Sequence, residues 1–395
     1  MSKITQLPPA SKIKSFFPLH RKCVVKVMLL LIQCIVRART VCLYKCGAEA
    51  GAVLGRKDLK LNTVYTRLIR FFKIKSVDAF CIGLTWLIIQ LVGFQGGVYM
   101  VMDRSNWKIG KININVLFVG LLLPNGVFIP IIWEQLDKRG NSNEKERINL
   151  MKRFGKVWLN HTGIQITLLA DREFIGLKWI RFLLGIEWSF VIRLRYQDYL
   201  GFVAISLNKT IYKTEKLIAR KVKKNGFFQT QIEIDGHKLY YTVFKNKGKR
   251  RGKKKTKADD YVILLSDFGD IKLISESYRK RWGIEVFFYH TKTNGFNLED
   301  LNLTDLKKAQ LMMGVVAVAY VLCILHGLDC KESHKTYLLN YGKKKSKSIS
   351  LFRKGYDNLK NIIHTLLELI RLMLKKLRPL PRNFSSSAKL ILKSV

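Results

Sequence analysis

Four residues near position 285 combine side-chain types that suit chemistry on a phosphate backbone. They supply a phenol, a guanidinium, a carboxylate and an ammonium group, on Tyr278, Arg281, Glu285 and Lys292. If residues 274–294 form one helix, successive side chains turn by about 100°, and these four fall within an arc of roughly 60°. A guanidinium can bind a phosphate through two hydrogen bonds, and an ammonium adds a point charge. The spacing therefore predicts one helical face that contacts phosphate.

Two further acids, Asp103 and Asp171, are embedded in apolar segments that we predict to be strands ending at these residues. In open α/β sheets, ligands bind at the carboxyl ends of the strands. Buried carboxylates are costly unless they are paired, so three acids that converge need cations between them. Hard divalent ions prefer oxygen ligands, and two of them about 4 Å apart can clamp a phosphoryl transfer. We therefore predict that Asp103, Asp171 and Glu285 bind two Mg²⁺ ions, with Mn²⁺ as a substitute.

The elements that must position these acids follow a regular order. Apolar strands are predicted at 97–103, 114–123, 127–136, 164–171 and 188–195, with helices starting near Asn143 and at 177–184. Three strands, a helix, a strand, a helix and a strand suit an RNase H-like core, a mixed sheet covered by helices. The fold class expected is therefore α/β.

The remaining segments divide the chain into five predicted regions. A hairpin is predicted at 227–244, and the segment 245–257 carries nine cations in thirteen residues, either as a solvated loop or as a phosphate contact. The regions are a helical DNA-end-binding part (1–92), a first core part (93–197), a β-rich insertion with the basic loop (198–262), a second core part (263–330) and a C-terminal helical region with a tail (331–395).

The charge of the chain indicates a polyanionic partner. Lys and Arg number 71 against 28 acids, a formal net charge of +43. Nucleic acid is the partner expected for such an excess, and an anionic membrane surface is the alternative. The apolar run 311–328 is about long enough to span a bilayer, but we interpret it as a buried helix. The seven cysteines are odd in number and unevenly spaced, which indicates reduced thiols in the cytoplasm.

The pattern Tyr-x2-Arg-x3-Glu-x6-Lys formed by Tyr278, Arg281, Glu285 and Lys292 resembles the YREK motif of bacterial insertion-sequence DDE transposases of the insertion-sequence-4-like type. The segments MDRSNWKIGKININVL (102–117) and LLADREFIG (168–176) look like those that carry the family's first and second catalytic Asp. The resemblance covers about 95–330. It implies an RNase H-like catalytic domain interrupted by a β-rich insertion and preceded by a helical region.

The resemblance also implies an activity. It is that of a transposase that binds the terminal inverted repeats of its element, cuts at the ends and joins the freed 3′ hydroxyls to target DNA. Asp103, Asp171 and Glu285 would be the metal-binding catalytic residues, and Tyr278, Arg281 and Lys292 would contact the DNA end. A homodimer on paired ends and a location at the bacterial nucleoid in the cytoplasm are expected as well.

Other readings stay open at the level of sequence. On the same fold, the protein could be a DNA nuclease without strand transfer, or an inactive copy that only binds DNA. The segment 61–72 could be a DNA-contacting helix capped by Asn62, or an amphipathic packing helix. Glu173 is an alternative metal ligand to Asp171, and His290 is expected to be packed or solvated rather than catalytic.

Overall fold

The protein is described here by a computed structural model. It covers residues 11–56, 58–94, 97–158, 164–246, 260–330, 338–341, 344–347 and 349–378. The basic segment from position 247 onwards and the C-terminal tail lie outside these ranges, so the two interpretations of that segment stay open.

A mixed eight-stranded sheet forms the centre of the protein. Its strands are β1 Val98–Ile109, β2 Ile112–Leu122, β3 Phe128–Gln135, β4 Ile166–Ala170, β5 Ser189–Leu194, β6 Phe227–Ile234, β7 His237–Lys245 and β8 Tyr261–Ser266. They lie in the order β3-β2-β1-β4-β5-β8-β7-β6. Strands β1, β4 and β5 are parallel, whereas the other neighbouring pairs are antiparallel. The α/β fold class predicted from the sequence is confirmed, and the arrangement is consistent with an RNase H-like core.

Helices cover this sheet and extend beyond it. They are α1 Ser11–Lys14, α2 Lys22–Ala38, α3 Leu43–Leu54, α4 Leu61–Phe71, α5 Val77–Val92, α6 Glu144–Val157, α7 Leu177–Gly185, α8 Leu200–Ser206, α9 Ile211–Asn225, α10 Ile271–Lys280, α11 Gly283–Lys292, α12 Leu306–Asp329, α13 Leu351–Ile362 and α14 Leu366–Lys376. A separate hairpin joins β9 Leu338–Tyr341 to β10 Lys344–Lys347.

Strand β1 is longer than the sequence predicted. Its parallel pairing with β4 stops at Met102, but its antiparallel pairing with β2 continues to Ile109. The prediction that the strand ends at Asp103 is therefore wrong, because β2 keeps satisfying the β1 backbone beyond that point. A tight turn through Gly110, where φ is 56°, closes the β1–β2 hairpin.

The predicted helix 274–294 is in fact two helices, α10 and α11. At the junction, the amides of Trp282 and Ile284 donate to the carbonyls of Arg279 and Arg281, three residues back instead of four. This tighter turn interrupts the α-helical ladder while Arg281 keeps right-handed backbone angles. The motif residues therefore sit on two short helices with a 3₁₀-type turn between them.

The insertion differs from its prediction in two respects. It begins with two helices, α8 and α9, that the sequence analysis did not foresee. Its hairpin β6–β7 then joins the central sheet, because β7 pairs with β8 from Tyr240–Ser266 to Lys245–Tyr261. The hairpin itself is as predicted, with Asp235 and Gly236 both at positive φ in the turn.

The N-terminal helices are packed onto the core. Helices α2 and α5 lie against α12, whose most apolar stretch has 83% of its residues buried. Near its start, the Gln310 carbonyl accepts a hydrogen bond of 2.9 Å from the Trp133 indole on β3. Helix α12 is long and apolar enough to cross a membrane, and so is the bent pair α2–α3 taken together. The burial of α12 inside the protein is that of a core helix.

Candidate active site

Two of the three predicted acids meet because of the register between β1 and β4. The last parallel pair joins Met102 to Ala170. Asp103 and Asp171 each follow a member of this pair in the chain. Asp103 thus lies where β1 parts from β4, and Asp171 follows the end of β4. The apolar residues of both strands are buried and fix these positions in the sheet.

The third acid, Glu285, reaches the pocket from α11 and is joined to Asp103 through Arg281. One guanidinium nitrogen of Arg281, Nη1, lies 2.8 Å from Asp103 Oδ2. The other, Nη2, lies 2.5 Å from Glu285 Oε1. The Arg281 side chain is only 9% exposed. A single buried cation therefore bridges two of the acids.

Asp171 has a separate set of partners. The Tyr278 hydroxyl donates to Asp171 Oδ1 at 3.2 Å. The Arg193 guanidinium, from β5, lies 3.9 Å from the same oxygen. Tyr278 and Arg193 therefore face this acid from α10 and from the sheet respectively.

The electrostatics indicate one shared pocket. Burial raises the pKa of Asp103 to about 6, the charges of Asp171 and Glu285 act in the same direction, and Arg281 acts against them. Burial likewise raises the pKa of Tyr278 to about 12, assisted by the charge of Asp171. Each carboxylate is thus close enough to disfavour the charge of Asp103, which is the situation that a bound cation relieves.

The donor set of this pocket fits hard divalent cations. Asp103, Asp171 and Glu285 offer carboxylate oxygens, the ligands that Mg²⁺ and Mn²⁺ prefer. Their side chains are 20%, 30% and 36% exposed, so solvent reaches all three. As placed, however, no three His, Cys, Asp or Glu side chains within the described ranges are close enough to share one ion. Arg281 stands between two of the acids instead.

Lys292 lies away from the acids. Its ammonium donates to the Asn106 carbonyl at 3.1 Å, near the far end of β1. It also lies 5.5 Å from the centre of the Trp107 ring and 3.6 Å from Glu299. The structure thus brings together five of the six predicted site residues. Lys292, at the end of α11, instead contacts the part of β1 beyond Asp103.

Glu173, the alternative metal ligand, and His290 both have contacts outside the acid pocket. Glu173 pairs with Arg104 at 3.1 Å and accepts hydrogen bonds from the amide and hydroxyl of Ser142. His290 is buried against Phe352, with ring centres 4.5 Å apart, and burial lowers its pKa to about 4. Glu173 is therefore engaged outside the pocket, and His290 is a neutral packing residue.

A groove of about 640 Å³ runs beside the acids, between the insertion and the α10–α11 junction. Its lining includes cationic and aromatic side chains, namely Arg193, Phe244, Lys245, Tyr278, Arg279, Arg281 and Trp282. Trp282 is 61% exposed, so its indole ring is accessible from the groove. The groove therefore offers both charge for phosphates and a ring face for bases.

Arg193 and Trp282 are not among the site residues predicted from the sequence. Arg193 is the one charged residue in the otherwise apolar strand β5, and this feature of the sequence could have predicted a functional role. Trp282 directly follows Arg281, but its exposure depends on the turn between α10 and α11, which was not predicted. Among the aromatic residues of the insertion, Phe244 lines the groove, whereas Tyr241 is 1% exposed and belongs to the core.

A comparison with known protein families identifies part of the chain. Residues 130–322 match the family model described as "Transposase DDE domain". The matched range contains Asp171 and Glu285 and begins after Asp103. No curated protein matches the chain. The match supports a DDE transposase, with DNA as its partner and divalent metal ions as the cofactors general to that family.

Proposed function

We propose that this chain, with its match to the transposase DDE domain, is an insertion-sequence transposase of the YREK type that cleaves and joins DNA at the ends of its element. The observation that carries the proposal is the contact of two motif residues with all three acids, beside a basic, aromatic groove: Arg281 bonds Asp103 and Glu285, and Tyr278 bonds Asp171. Each acid comes from a different element, and we propose that the adjacent groove of about 640 Å³ takes part of a DNA strand.

In this proposal, the acids of the pocket bind metal and the neighbouring motif residues bind DNA. Asp103, Asp171 and Glu285 would hold two Mg²⁺ ions, which supply the charge that activates the attacking oxygen and stabilises the leaving oxygen. Tyr278 and Arg281 face the groove and would bind the phosphates next to the cleaved bond. Lys292 would contact the backbone further away, near the end of β1.

The N-terminal helices supply a second DNA surface in this proposal. Helices α2, α3 and α4 pack against one another, and Val64, Leu68 and Phe71 turn the apolar side of α4 inward. Arg67 and Arg70 remain exposed on the other side. One face of α4 therefore packs, as the packing alternative predicted, and we propose that the exposed face contacts DNA. Helix α4 starts at Leu61 after Lys60, so the prediction that Asn62 caps it is wrong.

Removing both exposed arginines of α4 tests this surface. We expect Arg67→Gln with Arg70→Gln to weaken binding to duplex DNA from the flanks of the gene by about tenfold or more, because each arginine can contribute 1–3 kcal/mol in a groove. Fluorescence anisotropy with flanking and scrambled duplexes measures the affinity and the preference. The matched control, Arg21→Gln with Lys22→Gln, removes two charges outside α4. Equal losses in both double variants would show that α4 contributes only bulk charge.

Strand transfer separates the proposed transposase from a nuclease. The wild-type chain is incubated with Mg²⁺, pre-cleaved duplex DNA from the flanks of the gene and a supercoiled target plasmid. We expect covalently joined products, because a freed 3′ hydroxyl in the pocket can attack a second phosphodiester. Cleavage of uncut ends without joining would favour a nuclease, and binding without either reaction would identify an inactive copy.

The remaining parts of the proposal follow from the reaction. Two element ends must be processed together, so we propose a homodimer that holds paired ends. DNA as substrate and a strongly cationic surface favour a location at the bacterial nucleoid in the cytoplasm.

A further inference from the structure

We propose that Arg281 is an internal counter-cation that holds the acid pocket closed to divalent ions until a DNA phosphate draws it away. DNA binding and metal binding would then favour each other. This inference rests on the proposed function, and it adds a role for Arg281 beyond DNA contact.

The geometry of Arg281 is that of a bridging cation. Its two terminal nitrogens bond Asp103 and Glu285 at 2.8 and 2.5 Å, respectively, and the side chain is almost fully buried. An arginine side chain stays protonated in proteins. The guanidinium therefore stays charged and offsets the repulsion between the two carboxylates.

A divalent ion would have to compete with this bridge. Mg²⁺ requires near-ideal octahedral geometry with short metal–oxygen distances. Within the described part of the chain, the acids are not close enough to share an ion while Arg281 separates Asp103 from Glu285. Loading of the pocket therefore requires the guanidinium to leave and the two carboxylates to approach.

The groove provides an alternative partner for the displaced guanidinium. Arg281 lines the groove together with Arg193 and Arg279, so its side chain borders the space where a DNA backbone would lie. A phosphate accepts two hydrogen bonds from a guanidinium just as the two carboxylates do now. If DNA relieves the pocket of Arg281, the affinity for metal must rise, and by linkage metal must raise the affinity for DNA by the same factor.

Mn²⁺ titration followed by electron paramagnetic resonance tests the bridge without any catalytic readout. In the absence of DNA, we expect Arg281→Gln to bind Mn²⁺ about tenfold or more tightly than the wild type. A change in affinity of this size is typical of two coupled binding sites. Pre-cleaved duplex DNA should tighten Mn²⁺ binding by the wild type and leave Arg281→Gln nearly unchanged, after subtraction of Mn²⁺ bound by DNA alone.

Two control variants separate the bridge from general electrostatics. Lys272→Gln removes a charge from an exposed residue of α10 that does not line the groove, and it should not change the affinity for Mn²⁺. Arg193→Gln removes a charge 3.9 Å from Asp171, and its gain should be smaller than that of Arg281→Gln. Equal gains for Arg193→Gln and Arg281→Gln would overturn the proposal, as would equal Mn²⁺ affinities of Arg281→Gln and the wild type.

Thermal unfolding gives a second measure if Arg281→Gln folds poorly. Loss of the bridge leaves two acids facing each other, so the melting temperature should fall without metal and recover with Mn²⁺ more than in the wild type. Recovery no larger than in the wild type contradicts the inference. If the wild type binds Mn²⁺ and Arg281→Gln gains nothing, only the bridging role fails. If neither binds Mn²⁺, with or without DNA, the metal-dependent function fails as well.

Discussion

Glu285→Gln is expected to lower the rate of DNA cleavage by at least about 10³-fold, because a lost metal ligand removes several kcal/mol of transition-state stabilisation. The amide keeps the shape of the side chain and can still accept a hydrogen bond from Arg281. DNA binding measured without divalent metal should therefore stay within a few-fold of the wild type, since the groove cations remain. A gel assay on labelled flanking DNA measures cleavage, and anisotropy measures binding on the same preparations.

The control for this experiment comes from the preceding helix. Glu276 is exposed on α10, and Glu276→Gln removes one negative charge from the same region without touching the pocket. We expect this control to cleave at the wild-type rate. Asp103→Asn and Asp171→Asn should behave like Glu285→Gln. Cleavage near the wild-type rate in any one of the three variants would exclude that acid from the catalytic set.

Part of this site could be predicted because each acid interrupts a strong local pattern. Asp171 ends a run of buried apolar residues, and the structure ends β4 one residue before it. The start of helix α6 near Asn143 was predicted equally well, and the structure shows Asn143 and Glu146 in a capping box there. Such features depend on neighbours in the sequence.

Features set by distant contacts could not be predicted in this way. Strand β1 runs past Asp103 because β2 continues to pair with it. Helix α9 could not be predicted because its buried stripe, Thr214, Ile218 and Val222, is narrow and lies among cations. The stripe is buried by packing against β6 and β7. The ion pairs of Arg281 with Asp103 and Glu285 depend on a turn between α10 and α11 that helical periodicity does not reveal.

At Gly283 the turn between α10 and α11 packs against the β2–β3 turn. Substitution of Gly283 should therefore lower both the stability of the protein and the rate of DNA cleavage. A Cβ atom at Gly283 would collide with the Gly126 carbonyl oxygen in the β2–β3 turn and come within 3.1 Å of Leu122 Cδ2. The Gly126 oxygen cannot give way easily because it is backbone, and the Leu122 side chain is buried and has little room to move. Helix α11 starts at Gly283 and carries Glu285, so a clash here moves the acid away from its partners.

We therefore expect Gly283→Ala to destabilise the protein by about 1–3 kcal/mol, as overpacking of a tight contact does. Cleavage should fall by about 10²-fold even at temperatures where the variant is folded, since a displacement of 1 Å can have that effect. The control is Gly155→Ala in α6, where an added Cβ meets no atom within 4 Å and should stabilise the helix by about 0.5–1 kcal/mol. Urea denaturation and the cleavage assay measure the two effects separately. Wild-type cleavage by a folded Gly283→Ala would mean that the position of Glu285 does not depend on this contact, and that the β2–β3 turn plays no part in holding the active site.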